Sequence, residues 1–401
     1  MRIAIIGGGI GGLTAALALR QFGFEPQVFE QAPNLLDVGA AILMWPNAMR
    51  VLHRLGLADK IRERGAVLES ARWLRHDGRL LNQFRFPKAD VPAVAVHRAD
   101  LQHTLVQALP QDTIHLAHVF ESYEELPDQI IVQFNNARPF ACDALIAADG
   151  IHSHARMQLL NDGPPTEHDY VAWRGVAPHT PAGVIAGTAT EIYGRGQRFG
   201  FGPLGFGRVG WWASTNKSLL RDHSVHPGSE AGALAIRDEL LRLFAGWHEP
   251  ILELIQSTPL TAFVRNGVFD RSPVTDWGTD RVTLLGDAIH PITPNLGQGG
   301  GLAIEDAAVL ARCFEKYVSP QHLATEKTLP SVTKALRRFV DLRRARVGAV
   351  ARYSRLYGVV GQWESEWGIL LRDFVLSLVP NRVTARFLRE IFDYDADASR
   401  I

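Results

Sequence analysis

Three carboxylates beside glycine turns are the side chains of this sequence best suited to hold a polar ligand. Gly7, Gly9 and Gly12 form G-x-G-x-x-G directly after an apolar run, in MRIAIIGGGIGG. Glycines there permit a tight turn, close approach to a pyrophosphate and close helix packing. Glu30 follows eighteen residues after Gly12, at the end of PQVFE, where a carboxylate accepts ribose hydroxyls and favours an unphosphorylated adenosine ribose. Asp149 and Asp287 each stand beside a glycine after an apolar run, in ALIAADG (144–150) and RVTLLGD (281–287).

A second glycine cluster, PNLGQGGG from Pro294 through Gly297, Gln298, Gly299 and Gly300, opens a helical pattern from about Gly299. Its backbone N–H groups reach a ligand with no Cβ in the way, and the helix points its positive end at that ligand. A flavin whose reduced form is an anion suits such a site, with Asp287 at its ribityl chain. Glu305 and Asp306 are expected as first-turn helix carboxylates rather than catalysts, and His290 as a structural or flavin-side residue.

The elements that position these residues read as strand, turn, helix, strand from Ile3 to Glu30, a unit of a parallel sheet. Residues 171–213 are rich in glycine and aromatics and read as antiparallel strands; 71–96 read as a hairpin at Asp77-Gly78 joining the same sheet. The expected fold is α/β: a Rossmann-like FAD-binding domain (1–70, 97–170 and 276–325) with an inserted, mostly antiparallel β-sheet substrate domain (71–96 and 171–275), and C-terminal helices (326–401) packed on both. The Arg-rich stretch ALRRFVDLRRARVGAVARYSRL is expected as a solvated helix face. WGILLRDFVLSLVP (367–380), broken by Arg372 and Asp373, is expected as a core or interfacial helix rather than a membrane span.

The totals agree with a small polar ligand. The 401 residues carry 42 basic and 42 acidic side chains, a balance that gives no reason to expect nucleic acid or an anionic polymer as partner. Cys142 and Cys313 support neither a disulfide framework nor a zinc site, and His152 with His154 lacks further metal ligands. No metal, no signal peptide and no transmembrane span are expected; the expected compartment is cytoplasmic, and the expected state a monomer or homodimer.

Taken together, GGGIGG with Glu30, ALIAADGIHSHAR and GDAIHPITPNLGQGGGLAIEDA resemble the three fingerprints of the single-component FAD-dependent aromatic hydroxylases, which share the para-hydroxybenzoate hydroxylase fold. The match in order and spacing covers essentially the whole chain. The resemblance implies that Gly286 and Asp287 contact the FAD ribityl and pyrophosphate groups. It places Pro294 and Gly297 through Gly300 at the isoalloxazine, and Asp149 with Gly150 at both FAD and a visiting NADPH or NADH. It also puts Arg50, Arg98 and Gln102 at the cofactor. The implied reaction is hydroxylation of a small aromatic or heteroaromatic substrate by O2 through a flavin C4a-hydroperoxide; the alternatives are epoxidation of an apolar alkene and an oxidase without oxygen insertion.

TPNLGQGG and WPNA are most similar to the urate hydroxylase and zeaxanthin epoxidase branches. Some relatives pair an arginine with a tyrosine twelve residues later; here Arg198 is followed at that spacing by Gly210, then Trp211 and Trp212. Arg198 and Tyr193 are expected to position a polar substituent of the substrate, and Trp45, Phe201, Trp211 and Trp212 to wall a dry pocket.

Overall fold

The structure is a computed structural model that describes residues 1–35, 39–222, 228–318, 328–396 and 398. The boundary expected at 325/326 lies outside the described residues. Arg2–Ile6 is buried on both faces from Ile3 to Ile6, as a central strand covered by helices must be. It lies in a five-stranded parallel sheet ordered Val282–Leu284, Ala144–Ala147, Arg2–Ile6, Glu25–Phe29 and Ile114–His115. The chain leaves Arg2–Ile6 toward Glu25–Phe29 and later returns on its other side. That change of direction opens a crevice at the carboxyl ends of Arg2–Ile6 and Ala144–Ala147, where open α/β sheets bind ligands.

A seven-stranded sheet is ordered Val264–Asp270, Thr166–Ala177, Arg208–Asn216, Gln197–Leu204, Thr188–Tyr193, Ser70–Arg75 and Leu80–Arg85. Its pairings are antiparallel except for Thr188–Tyr193 with Ser70–Arg75. The hairpin turns at Asp77-Gly78, where Gly78 has φ +87° and Arg79 N–H donates to Asp77 Oδ1 at 3.1 Å. Two details depart from the sequence reading. Ala93–His97, expected in this sheet, pairs with Ala41–Met44 and Ala66–Leu68 in a separate three-stranded sheet. The strand expected from 171 begins at Thr166.

Side-chain alternation gives the seven-stranded sheet two different faces. Trp173, Phe199, Phe201 and Trp211 pack under the helices Glu230–Leu243 and Ile251–Ser257. The other face carries Val176 and Leu204, which share a core with Trp45, Leu296 and Leu302 of the glycine-rich region. That face borders the crevice.

The helix Gly299–Val318 is followed by the 34-residue helix Thr328–Gly361. The arginine-rich stretch is not wholly a solvated face. Arg343 is fully buried and Arg346 nearly so, because Glu305 and Asp306 are buried on Gly299–Val318 and need cations beside them.

Candidate active site

Gly7 has φ +103°, and a Cβ there would collide with the carbonyl of Ala148; one at Gly12 would strike the carbonyl of Gly7. Gly9, the N-cap of Ile10–Gln21, faces open space within 4 Å, and this helix has neither a side-chain cap nor an acidic residue in its first turn. Its free N–H groups and positive end are available to a pyrophosphate. Glu30 Oε2 accepts from Gly8 N–H at 2.6 Å and Oε1 from Ala32 N–H at 2.9 Å, which fixes the carboxylate at the strand end. Gln102 Nε2 donates to the Gly8 carbonyl at 3.0 Å and so shapes the loop.

Asp287 is exposed, with protein groups around it on the cleft wall. Burial raises its pKa, opposed by His290 and Arg98. Asp149 sits across the crevice; burial raises its pKa too, and its Oδ1 has no partner while Oδ2 accepts from Ala155 N–H at 3.3 Å. Gly150 follows with φ +80°.

The turn holding Asp287 is fixed from behind. Asp306 Oδ2 accepts from Gly286 N–H at 3.0 Å and lies 2.5 Å from His290 Nε2, and Asp306 Oδ1 accepts from Arg343 Nε at 2.6 Å. Burial alone would raise the Asp306 pKa, yet His290 and Arg343 bring it down to about 2. Glu305 accepts from Arg346 at 2.9 Å and Asn47 at 2.6 Å, and pairs with Arg343 at 2.7 Å. Glu305 and Asp306 therefore lie beyond the first turn, as buried struts.

The second cradle is equally unfilled by protein groups. Gly297 has φ +60°, with Leu43 and Trp45 Nε1 each 3.6 Å from where its Cβ would be; a Cβ on Gly299 would stand 3.7 Å from Asp287 Oδ1. Gln298 is buried, its Oε1 accepting from Asn47 at 2.9 Å, while its Nε2 has no partner; neither has Trp45 Nε1. Pro294 begins the short turn Pro294–Leu296 that leads into this cradle. An uncapped helix start at the first glycine cradle and a second cradle that glycines keep open suit a long polar ligand. The residues present fit FAD.

The expected catalytic pair is engaged elsewhere than on a ligand. Arg198 is buried and pairs with Glu191 at 3.3 Å, donates to Gln362 Oε1 at 3.2 Å and to Asn295 Oδ1 at 2.5 Å. Tyr193 O–H meets Glu191 Oε2 at 3.1 Å and the hydroxyl of Tyr357, which itself donates to Glu191 at 2.5 Å. Burial and then the Glu191 charge raise both tyrosine pKa values well above the ordinary one. Asn295 also donates to Tyr170 Oη at 3.1 Å and to the Ser354 carbonyl at 3.0 Å. Arg198 thus locks the loop of the second cradle to the inserted sheet, with its charge already neutralised.

Other expectations divide by sheet face. Trp211 stacks on Phe199 at 5.4 Å and donates to Thr258 at 2.8 Å, and Phe201 shares its core; both lie under the helices, away from the cleft. Strand alternation puts Trp212 on the opposite face, over Gly200, where a Cβ would collide with the indole. Trp45 contacts the second cradle and packs on Phe392 at 4.1 Å. Arg50, expected at the cofactor, pairs with Asp90 at 2.8 Å and with Asp393, tying down the C-terminal segment.

Arg174 is the residue that the sequence reading missed. It lies on the cleft face, in register with Trp212, and its one hydrogen bond among the described residues is a long one, 3.4 Å to Asn266 Oδ1. Burial and then the nearby Arg98 charge lower its pKa. The Arg98 charge acts to lower the pKa of both Asp287 and Arg174. Among the described residues no three His, Cys, Asp or Glu gather as metal ligands, and both cysteines are buried and free.

Comparison with known proteins gives the family of the chain. Residues 1–321 match the FAD binding domain family. The chain is 37% identical over 396 residues to an aurachin C monooxygenase/isomerase of Stigmatella aurantiaca, covering 98% of each. It is 32% identical over 368 residues to a 3-amino-4-hydroxybenzoate 2-monooxygenase of Streptomyces cremeus, covering 88% of this chain and 86% of that one. Among solved structures, HpxO of Klebsiella pneumoniae in complex with FAD and uric acid superposes with a TM-score of 0.84 at 27% identity, covering 98% of this chain and 96% of that one.

Proposed function

This chain belongs to the FAD binding domain family and is an FAD-dependent monooxygenase, and we propose that its substrate is an aromatic or heteroaromatic compound with a carboxylate or carbonyl group held by Arg174. The observation that carries the substrate clause is the contrast between two arginines on one sheet face: Arg198 is neutralised by Glu191, while Arg174 reaches the cleft with no carboxylate partner among the described residues. A guanidinium presents a planar fork of donors to such a group. The names of the aminohydroxybenzoate-acting relative and of the uric acid complex are consistent with a polar ring.

When bound, FAD takes a hydride from NADPH or NADH and supplies one oxygen atom of O2 to the ring, the other leaving as water. The chain's own residues do the rest. In this reading Gly7, Gly9 and Gly12 admit the pyrophosphate and Glu30 receives the ribose. Asp287, with Gly286, orients the ribityl chain, and Asp149 faces it across the crevice. The N-terminal end of Gly299–Val318 would stabilise negative charge on the ring system, and Gln298, bonded to Asn47, supports the turn before it. Arg198 and Asn295 hold the second cradle against the inserted sheet, a positioning role. Trp212 and Trp45 exclude water. Glu191 accepts from Tyr193 and Tyr357 and pairs with Arg198, a buried polar group that fastens the inserted sheet to the helix Thr328–Gly361.

The test is NADPH and NADH oxidation in air by FAD-loaded protein across aromatic acids, phenols, N-heteroaromatics and isoprenoid alkenes, with product and peroxide measured together. The expected result is stimulation by ring compounds bearing a carboxylate or carbonyl, product exceeding peroxide, and a KM raised about tenfold or more in Arg174→Leu. Stimulation only by neutral alkenes, or an unchanged KM in that variant, overturns the substrate clause.

A further inference from the structure

The helix Glu366–Leu378, within the stretch expected as a core or interfacial helix, turns its apolar side outward. Trp367 is 84% exposed, and Leu370, Leu371, Phe374, Val375 and Leu378 between 48% and 62%. Their spacing makes one continuous stripe at helical period. The opposite side is anchored: Arg372 is buried over the Tyr193 ring at 5.3 Å and donates to the Gly194 carbonyl at 2.9 Å, and Asn82 donates to the Leu376 carbonyl at 2.9 Å. The stripe is therefore a fixed feature of the fold. Soluble monomers rarely leave such a patch uncovered.

The charge around it identifies its occupant. The stripe's own helix starts with the exposed Glu366, and the free cations lie past its other end. Arg382 and Arg386, on the helix Asn381–Phe392 that follows directly, and Arg352 on Thr328–Gly361 are exposed and have no ion pair among the described residues. Tyr353 and Phe387 join those two helices with rings 5.4 Å apart, and the exposed Leu356 and Val383 extend the apolar surface beside them. An isologous contact with a second copy would set this arginine rim against itself. No helix of the described residues is long and apolar enough to cross a membrane.

We propose that this face docks in the plane of an anionic lipid bilayer, with Trp367, Leu371 and Phe374 in the headgroup–acyl boundary and Arg352, Arg382 and Arg386 on the headgroups. Because Arg372 rests on Tyr193, the docked helix is anchored on the buried hydrogen-bonded group of Tyr193 and Glu191.

The test is flotation of the FAD-loaded enzyme with phosphatidylcholine vesicles with and without phosphatidylglycerol, alongside light scattering of the free protein. Wild type is expected to float with the anionic vesicles and to release with rising salt. Leu371→Ser/Phe374→Ser, which removes only exposed groups, is expected to lower partitioning at least about tenfold with FAD content unchanged. Arg382→Glu/Arg386→Glu is expected to abolish the preference for phosphatidylglycerol. No flotation at low salt, equal flotation of wild type and both variants, or a wild-type dimer that Leu371→Ser/Phe374→Ser converts to monomer overturns the proposal.

Discussion

Replacing Arg343 with methionine probes the strut behind the cofactor turn. Arg343 is fully buried, 2.6 Å from Asp306 and 2.7 Å from Glu305. Its removal leaves Glu305 with Arg346 and Asp306 with the His290 ring, so one of two arginines is lost from a dry site. Breaking a buried ion pair costs about 3–5 kcal/mol, and the surviving partners place this case at about 3. A pH signature accompanies the loss. The Asp306 pKa of about 2 lies below its unfolded value, so Asp306 stabilises the fold above about pH 4 and loses that contribution as pH falls toward 2, roughly 2–3 kcal/mol in all. In Arg343→Met the Asp306 pKa rises and this acid-side loss shrinks. Urea unfolding of the apoprotein across the acid range reads both effects. Arg344→Met is the control: Arg344 is half exposed and meets Asp341 at 3.8 Å, so it should change stability by less than about 0.5 kcal/mol. A loss below about 1 kcal/mol in Arg343→Met with an unchanged acid limb refutes the strut.

Other outcomes follow from the same geometry. Asp287→Ala should weaken FAD retention on ultrafiltration about tenfold or more, with the apoprotein as stable as wild type, since Asp287 faces the cleft. Gly358→Ala puts a Cβ against the Asn295 amide; the displaced loop should divert turnover toward peroxide, measured as product formed per NAD(P)H consumed. Tyr357→Phe removes a buried hydroxyl that donates to Glu191 at 2.5 Å and should cost about 1–3 kcal/mol in urea unfolding, and an unchanged midpoint would show that this hydrogen bond does not hold the helix to the sheet.

The glycine cradles were legible in the sequence because their chemistry is local: Gly7, Gly9 and Gly12 need only the strand before and the helix after them. The sheet insertion was legible from its turns. What escaped depends on pairing across long separations. Phe201 and Trp211 differ from Trp212 only in which way the strand points them, and aromatic content alone does not reveal that parity. Arg198 reads as a ligand-binding cation until Glu191, on the adjacent strand and diagonal to it, is seen to neutralise it. Arg174 was hidden because its freedom is defined by an absent partner. Arg343 looked like surface charge and Arg50 like a cofactor contact, and their carboxylates lie 37 or more residues away. A signal for Arg198 and Asn295 did exist in Gly358 and Gly361, two glycines of one helix face that admit them.

The most direct measurement is the fate of labelled dioxygen. The FAD-loaded enzyme, given NADPH or NADH, isotopically labelled O2 and the ring compound that best stimulates turnover, should yield product carrying one labelled oxygen atom, roughly one per reduced nucleotide consumed. Complete recovery of the label as peroxide, with the substrate unchanged, would contradict oxygen insertion and leave a flavin oxidase in its place.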